Sequence, residues 1–164
     1  TAAVKRNAVF TNGAGTCVRI YGMFVSGLIP VYICLIQAAA VNHIPAEIIT
    51  SIISVEGGRH GLAVANKNNT EDLGIMQINT GAWLSLVSKV FFDSDSDRAY
   101  QVLKNDDCFN IQVGTWILKR SIILENGDLW EGVGRYHSST LRLKKRYIKK
   151  VKARYVKLFH KNIS

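Results

Sequence analysis

The segment that most constrains this chain is AEIITSIISVEGG, residues 46–58. Ile48, Ile49, Ile52 and Ile53 recur at the i, i+1, i+4, i+5 spacing of a helix with one buried stripe. Pro45 precedes them where a first helical turn tolerates proline, and Gly57 and Gly58 follow as C-terminal glycines do. Glu56 lies four residues after Ile52 and three after Ile53, so the helix carries a carboxylic acid at the end of its inward face. Burial penalises the charged form of a carboxyl and raises its pKa, which is what a general acid needs near neutral pH. Most glutamates near helix ends are solvated, so by itself Glu56 reads as either a surface residue or an acid.

The flanking pattern is mostly helical. A helix is predicted from Cys34 to Asn42. Residues 59–73 are polar, with an Asn-rich turn at Asn68 and Asn69, and predict a short hairpin or irregular loop. GIMQIN, Gly74 to Asn79, is a compact element, and a helix follows through Trp83, Leu84 and Val87. Phe92 to Arg98 alternates Asp and Ser and reads as an exposed loop. Asp106 and Asp107 precede an apolar helix, Cys108 to Leu124, ended by Gly127. Asp128 with Glu131 has the spacing of an acidic capping box. A last helix starts near Leu141, with Ile148, Val151, Tyr155 and Leu158 as its apolar stripe. The expected fold class is α+β, mostly helical. A chain of 164 residues, 48% apolar, supports one core and not two comfortable ones.

That domain is placed at residues 34–160, after an N-terminal segment, 1–33. Residues 1–22 show no clear period and read as poorly ordered. MFVSGLIPVYIC, Met23 to Cys34, follows Arg19 and resembles a signal-peptide core. It is too short to span a bilayer as a helix, and the alternative is a first core helix. Of the three cysteines, Cys17, Cys34 and Cys108, two could bridge in an exported protein; buried thiols are the equal alternative. The net charge of +9 is uneven, with eleven Lys or Arg and no Asp or Glu from Arg135 to the end. Such a run is a solvated helix face, or a surface attracted to a nucleic acid, an anionic membrane or an acidic wall, and charge alone does not choose.

Asp72 bears on the chemistry of Glu56. It lies sixteen residues on, past the polar turn, where a hairpin can fold back and set it across a groove. Two carboxylates in unlike surroundings suit glycosidic cleavage: one protonates the leaving oxygen, the other faces the developing oxocarbenium charge. The alternative for Asp72 is a turn residue satisfying loop backbone.

NTEDLGIMQINT, Asn69 to Thr80, following VEGG at Val55 to Gly58, resembles the lysozyme-like lytic transglycosylases. The likeness is strongest to the specialised members that accompany secretion, pilus and conjugation systems. It runs from Cys34 to about Phe159 and takes in CLIQAA, DDCFNIQVGTWIL and WEGVGRYHSS. The resemblance implies that Glu56 is the catalytic glutamate, acid then base. It implies that Gly74, Met76 and Gln77 belong to the element lining the sugar groove, with Asn79 beside them as a further substrate contact. Tyr136 matches a family tyrosine near the glutamate, and His137 follows it as a candidate donor to sugar or peptide groups, or as an ordinary histidine. Asp72 falls where lysozyme-like members have a second acid, and Cys34 and Cys108 fall where secretion-associated members place a disulfide. Two departures stand out. The usual Glu-Ser pair is Glu56-Gly57, and the usual Tyr-Asn-Ala-Gly is Tyr136-His137-Ser138-Ser139.

The implied activity is cleavage of the bond between N-acetylmuramic acid and N-acetylglucosamine in peptidoglycan with a 1,6-anhydro product, opening the wall for a secretion, pilus or conjugation apparatus. A hydrolytic lysozyme is the alternative, and a catalytically weak wall-binding component of such a machine is the alternative from another class. A nucleic-acid-binding module rests on the C-terminal charge alone, with no recognisable motif, so no nucleic acid is expected. The expected partner is the peptidoglycan glycan strand, with that machinery beside it, for a monomer exported to the periplasm or elsewhere in the bacterial envelope. No cofactor is expected. His43, His60 and His137 are not at ligand spacing, so no metal is expected either. Trp83, Trp116 and Trp130 read as packing more than as sugar platforms.

Overall fold

The computed structural model describes residues 9–11, 17–19 and 30–160. Two three-residue strands, β1 (Val9–Thr11) and β2 (Cys17–Arg19), pair antiparallel. They lie in a stretch where no period was visible, because three residues are too few to show alternation. The expectations for the rest of 1–29 lie outside the described residues.

From Pro30 onward the chain is helical around one small sheet. Helix α1 (Val31–Asn42) starts three residues earlier than predicted, with Pro30 at its N-cap. The end of the apolar run is therefore the first turn of a core helix, and Cys34, Ala38 and Ala39 are its buried side. Helix α2 (Ala46–Glu56) has the predicted bounds. It buries Ile48, Ile49 and Ile52 and ends at Gly57, which takes the left-handed conformation, φ 66°.

The polar stretch that follows is a hairpin. Strands β3 (Ala63–Ala65), β4 (Glu71–Leu73) and β5 (Ile78–Asn79) form an antiparallel sheet in that order. Asp72 pairs with Val64 on one side and Asn79 on the other. The hairpin tip turns at Asn69, whose φ of 60° suits an asparagine.

Helix α3 (Thr80–Phe91) is capped by Asn79. The region expected as an exposed loop, Phe92 to Arg98, is a correction. Helix α4 (Ser96–Asn105) begins inside it, capped by Asp95, and Phe92 is buried against Phe109. The alternating Asp and Ser hid the start because capping residues look like loop residues. Helix α5 (Asp107–Leu124) buries eleven of its eighteen residues, as befits a central helix packed by α1, α4 and α6, and exposes Arg120 and Leu124 near its end. Cys34 and Cys108 are bridged, with Cα atoms 5.2 Å apart, and join α1 to the start of α5. Helix α6 (Leu129–His137) is capped by Asp128, whose side chain accepts from the Glu131 backbone N–H.

Helix α7 (Leu141–Phe159) packs on α2 and α6. Its buried stripe keeps the predicted Val151, with Tyr155 packed on the core, but runs back through Tyr147 and Lys144 rather than on to Leu158, which is 44% exposed. Lys144 is a cation in that stripe because two carboxylates meet it there. Its Nζ lies 2.7 Å from Glu125 Oε2 and 2.8 Å from Glu131 Oε2, while Arg135 takes the other Glu125 oxygen at 3.0 Å. Gly134 lets α6 approach this helix closely; a Cβ there would stand 2.8 Å from Ile148.

Candidate active site

Glu56 is the last residue of α2, half-buried, with Oε1 accepting the Tyr147 hydroxyl proton from α7. Burial dominates its titration and pushes the carboxyl from 4.5 to about 6. The Tyr147 hydrogen bond opposes this, the charge of Asp72 adds to it, and the Lys150 cation opposes it. Burial first, and then the Glu56 charge, hold the Tyr147 phenol far above its ordinary range, so it remains a donor. His137 stacks on the Tyr147 ring, centroids 4.5 Å apart and planes 3° from parallel. Burial and the Lys150 charge push His137 below its usual pKa and so favour the neutral ring, against the pull of Asp72.

Asp72 stands on the sheet in a different setting. Asn79, its partner across β4 and β5, donates to Asp72 Oδ1 at 2.8 Å and to Thr70 Oγ1 at 2.9 Å. The Asn79 carbonyl oxygen accepts from the Ala82 N–H at 3.1 Å and so caps α3. Both amide hydrogens and the amide oxygen are thereby engaged, and Asn79 acts as the residue that holds Asp72 in place. Between the two walls lies a cleft of about 560 Å³. Glu56, Tyr136 and His137 line its helical side, and Asp72, Gln77 and Asn79 its sheet side. A neighbouring depression of about 300 Å³ shares Trp83, Ile117 and Tyr136 with it, so the groove continues past the carboxylates. A linear polymer fits a groove of this kind better than a compact ligand does.

The residues expected to line the groove divide into two sets. Gln77 and Asn79 reach it. Gly74 and Met76 do not: Gly74 is buried, and the Met76 side chain is fully covered. Gly114 makes room for Met76, since a Cβ there would meet Met76 Sδ at 2.5 Å. What Met76 offers the site is its backbone. Its carbonyl accepts the Tyr136 hydroxyl at 2.8 Å, and its N–H donates to Asn110 Oδ1 at 2.8 Å. Asn110, fully buried on α5, also donates to the carbonyls of Leu73 and Leu103 at 2.9 and 2.8 Å. It pins the 74–77 turn, where Gln77 holds a left-handed φ of 52°.

Sequence reasoning missed Tyr147, Asn110 and the position of Trp83, which lines the groove edge-on to the buried Trp116, centroids 5.8 Å apart. A polar residue inside an apolar helical stripe was the available signal for Asn110. For Tyr147 the signal was its i, i+4 relation to Val151.

No curated protein matches the chain. The model of the Transglycosylase SLT domain family matches residues 33–159, which include both cleft carboxylates and the α7 tyrosine that holds one of them. The likeness first suggested by the glutamate, the Gly-x-Met-Gln turn and the Tyr136 helix end thus extends over most of the chain, and the protein belongs to the lysozyme-like lytic transglycosylase family.

Proposed function

We propose that this protein cleaves the β-1,4 bond between N-acetylmuramic acid and N-acetylglucosamine in peptidoglycan, with Glu56 as acid and then base. The observation that carries the reading is the pairing of a Glu56 carboxyl raised to about 6 with Asp72 on the opposite wall of one groove. Glu56, protonated on the oxygen that Tyr147 leaves free, gives its proton to the glycosidic oxygen as the C1–O bond breaks. Asp72 faces the positive charge that grows on the sugar ring. The C6 hydroxyl of the same sugar then attacks C1, and the Glu56 carboxylate takes the hydroxyl proton. The product is a 1,6-anhydro ring, and Glu56 is protonated for the next turnover.

The Glu56-Gly57 departure removes a side-chain hydroxyl beside the acid, but the Tyr147 hydroxyl supplies a donor to the same carboxylate. Asp72, fixed by Asn79, is the observation that keeps a hydrolytic outcome as the second reading, because a second carboxylate can serve attack by water. Mass analysis of the muropeptides released from purified peptidoglycan tests both. Anhydro products lighter by one water support the transglycosylase reading, and reducing-end products support the lysozyme reading. Release that survives Glu56→Gln overturns the assignment of the acid.

The biological setting we propose is the bacterial envelope, with the protein exported to the wall and opening it for a secretion, pilus or conjugation apparatus. The Cys34–Cys108 bridge supports an oxidising compartment. Loss of assembled apparatus on deletion, restored by wild type and not by Glu56→Gln, is the matching test.

A further inference from the structure

Helix α7 presents two stripes of opposite character. The inner one carries Tyr147 and Val151 to the core. The outer one reads Arg142, Lys145, Lys149, Lys152, Val156 and Phe159, spaced three or four residues apart and so aligned along one face. All six are exposed, and the line is about 26 Å long at the helical rise per residue. None of its four cations is ion-paired among the described residues, and Glu125 and Glu131 nearby are engaged by Arg135 and Lys144. Arg146 and Lys157 flank the line and are exposed too.

We infer that this outer face of α7 docks the protein on an anionic phospholipid surface. The cations alone would suit any polyanion. What favours lipid is the far end of the stripe, where Val156 is 56% and Phe159 43% exposed. Apolar side chains contribute little to holding a hydrated polyanion, but they gain burial at the headgroup boundary of a bilayer. Beside them Trp130 and Tyr155 form an edge-to-face pair, centroids 6.3 Å apart, with Lys152 Nζ 4.8 Å from the Trp130 ring centre. Aromatic rings with one polar edge, next to lysines, suit a membrane interface. A second copy of this chain is a poor occupant, because four aligned cations repel their own kind. Leu143, on a neighbouring face of the same helix, lines the cleft.

The test is sedimentation of the full chain with vesicles of phosphatidylcholine alone or mixed with phosphatidylglycerol, at about 0.15 M salt. The inference expects binding only to the mixed vesicles. Lys145→Glu with Lys149→Glu should weaken it by about tenfold or more, and Val156→Ser with Phe159→Ser should weaken it severalfold. Muropeptide release from soluble glycan fragments and the melting temperature should be unchanged in both variants, which shows that they are folded. Failure to bind mixed vesicles, or equal binding to both kinds, overturns the inference. So does a result in which the apolar pair is silent and the charge reversals abolish binding to vesicles and to duplex DNA alike, since that describes a surface for hydrated polyanions.

Discussion

The two walls of the cleft carry the same functional group in contrasting surroundings. On the helical wall, Glu56 sits at the end of an isoleucine-lined helix and accepts a hydrogen bond from Tyr147. On the sheet wall, Asp72 sits in a lattice of side-chain amides and hydroxyls running through Asn79, Thr70, Asn66 and Asn68. Desolvation wins on the first wall, where the carboxyl is pushed to about 6. The difference teaches that the secondary structure beneath each carboxyl sets its surroundings. A helix end packed on a core withholds water, and a short hairpin with polar side chains supplies hydrogen bonds in its place.

The strongest way to break this comparison is to neutralise each wall in turn. Glu56→Gln should lower muropeptide release by about 10²- to 10⁴-fold, the range for loss of a positioned general acid. Asp72→Asn should cost less, about 100-fold, with the anhydro product retained if the C6 hydroxyl is the nucleophile. Equal losses would mean that the walls are not divided in role.

The same glutamine variant should be the more stable protein. With the folded carboxyl at about 6 and the unfolded one at 4.5, the native state holds its proton more tightly between those values. Wild-type stability therefore falls as pH rises through that window. Relative to wild type, Glu56→Gln should gain up to about 2 kcal/mol at pH 7, and the gain should vanish well below the ordinary carboxyl pKa. Denaturant melts at both pH values check it.

Smaller shifts sharpen the contrast. With Glu56 as the acid, the alkaline limb of kcat/KM should follow loss of its proton. Tyr147→Phe removes a hydrogen bond that lowers the Glu56 pKa, so the limb should move to higher pH. Asp72→Asn removes a charge that raises it, so the limb should move to lower pH. Shifts of the same sign in both variants would contradict the assignment of causes. The smallest effect concerns stability: Asn79→Ala should cost about 1 kcal/mol through the lost α3 cap, with a loss of activity well short of that of Asp72→Asn as Asp72 loses its anchor.

Much of the fold was legible in order along the chain. The bounds of α2, the glycine stop, the hairpin insert and the capped start of α6 all rest on interactions within a few residues, and local spacing reports such interactions directly. Helix α4 was missed because its Asp95 cap and its acidic first turn look like a loop until Phe92 and Leu103 are seen to be buried. The stripe of α7 was right at Val151 and Tyr155 but wrong at its end, where Leu158 is exposed. An apolar count favoured Leu158, whereas packing against α2 and α6 selected Tyr147 and tolerated Lys144, because Glu125 and Glu131 were waiting for its charge.

By itself, then, the sequence placed an acid at the end of a helix's inward face, offered a second carboxylate past a polar turn, and resembled enzymes built in this way. Only the tertiary structure decided what each carboxyl touches. Tyr147 reaches Glu56 from 91 residues away, Tyr136 reaches the Met76 carbonyl across 60, and Asn110 reaches Met76 across 34. The tertiary structure also turned Met76 into the core and left its carbonyl for the site. The physical reason is that a pKa is set by the solvent and charges within a few ångströms, and those neighbours come from distant parts of the chain whose meeting no local period records.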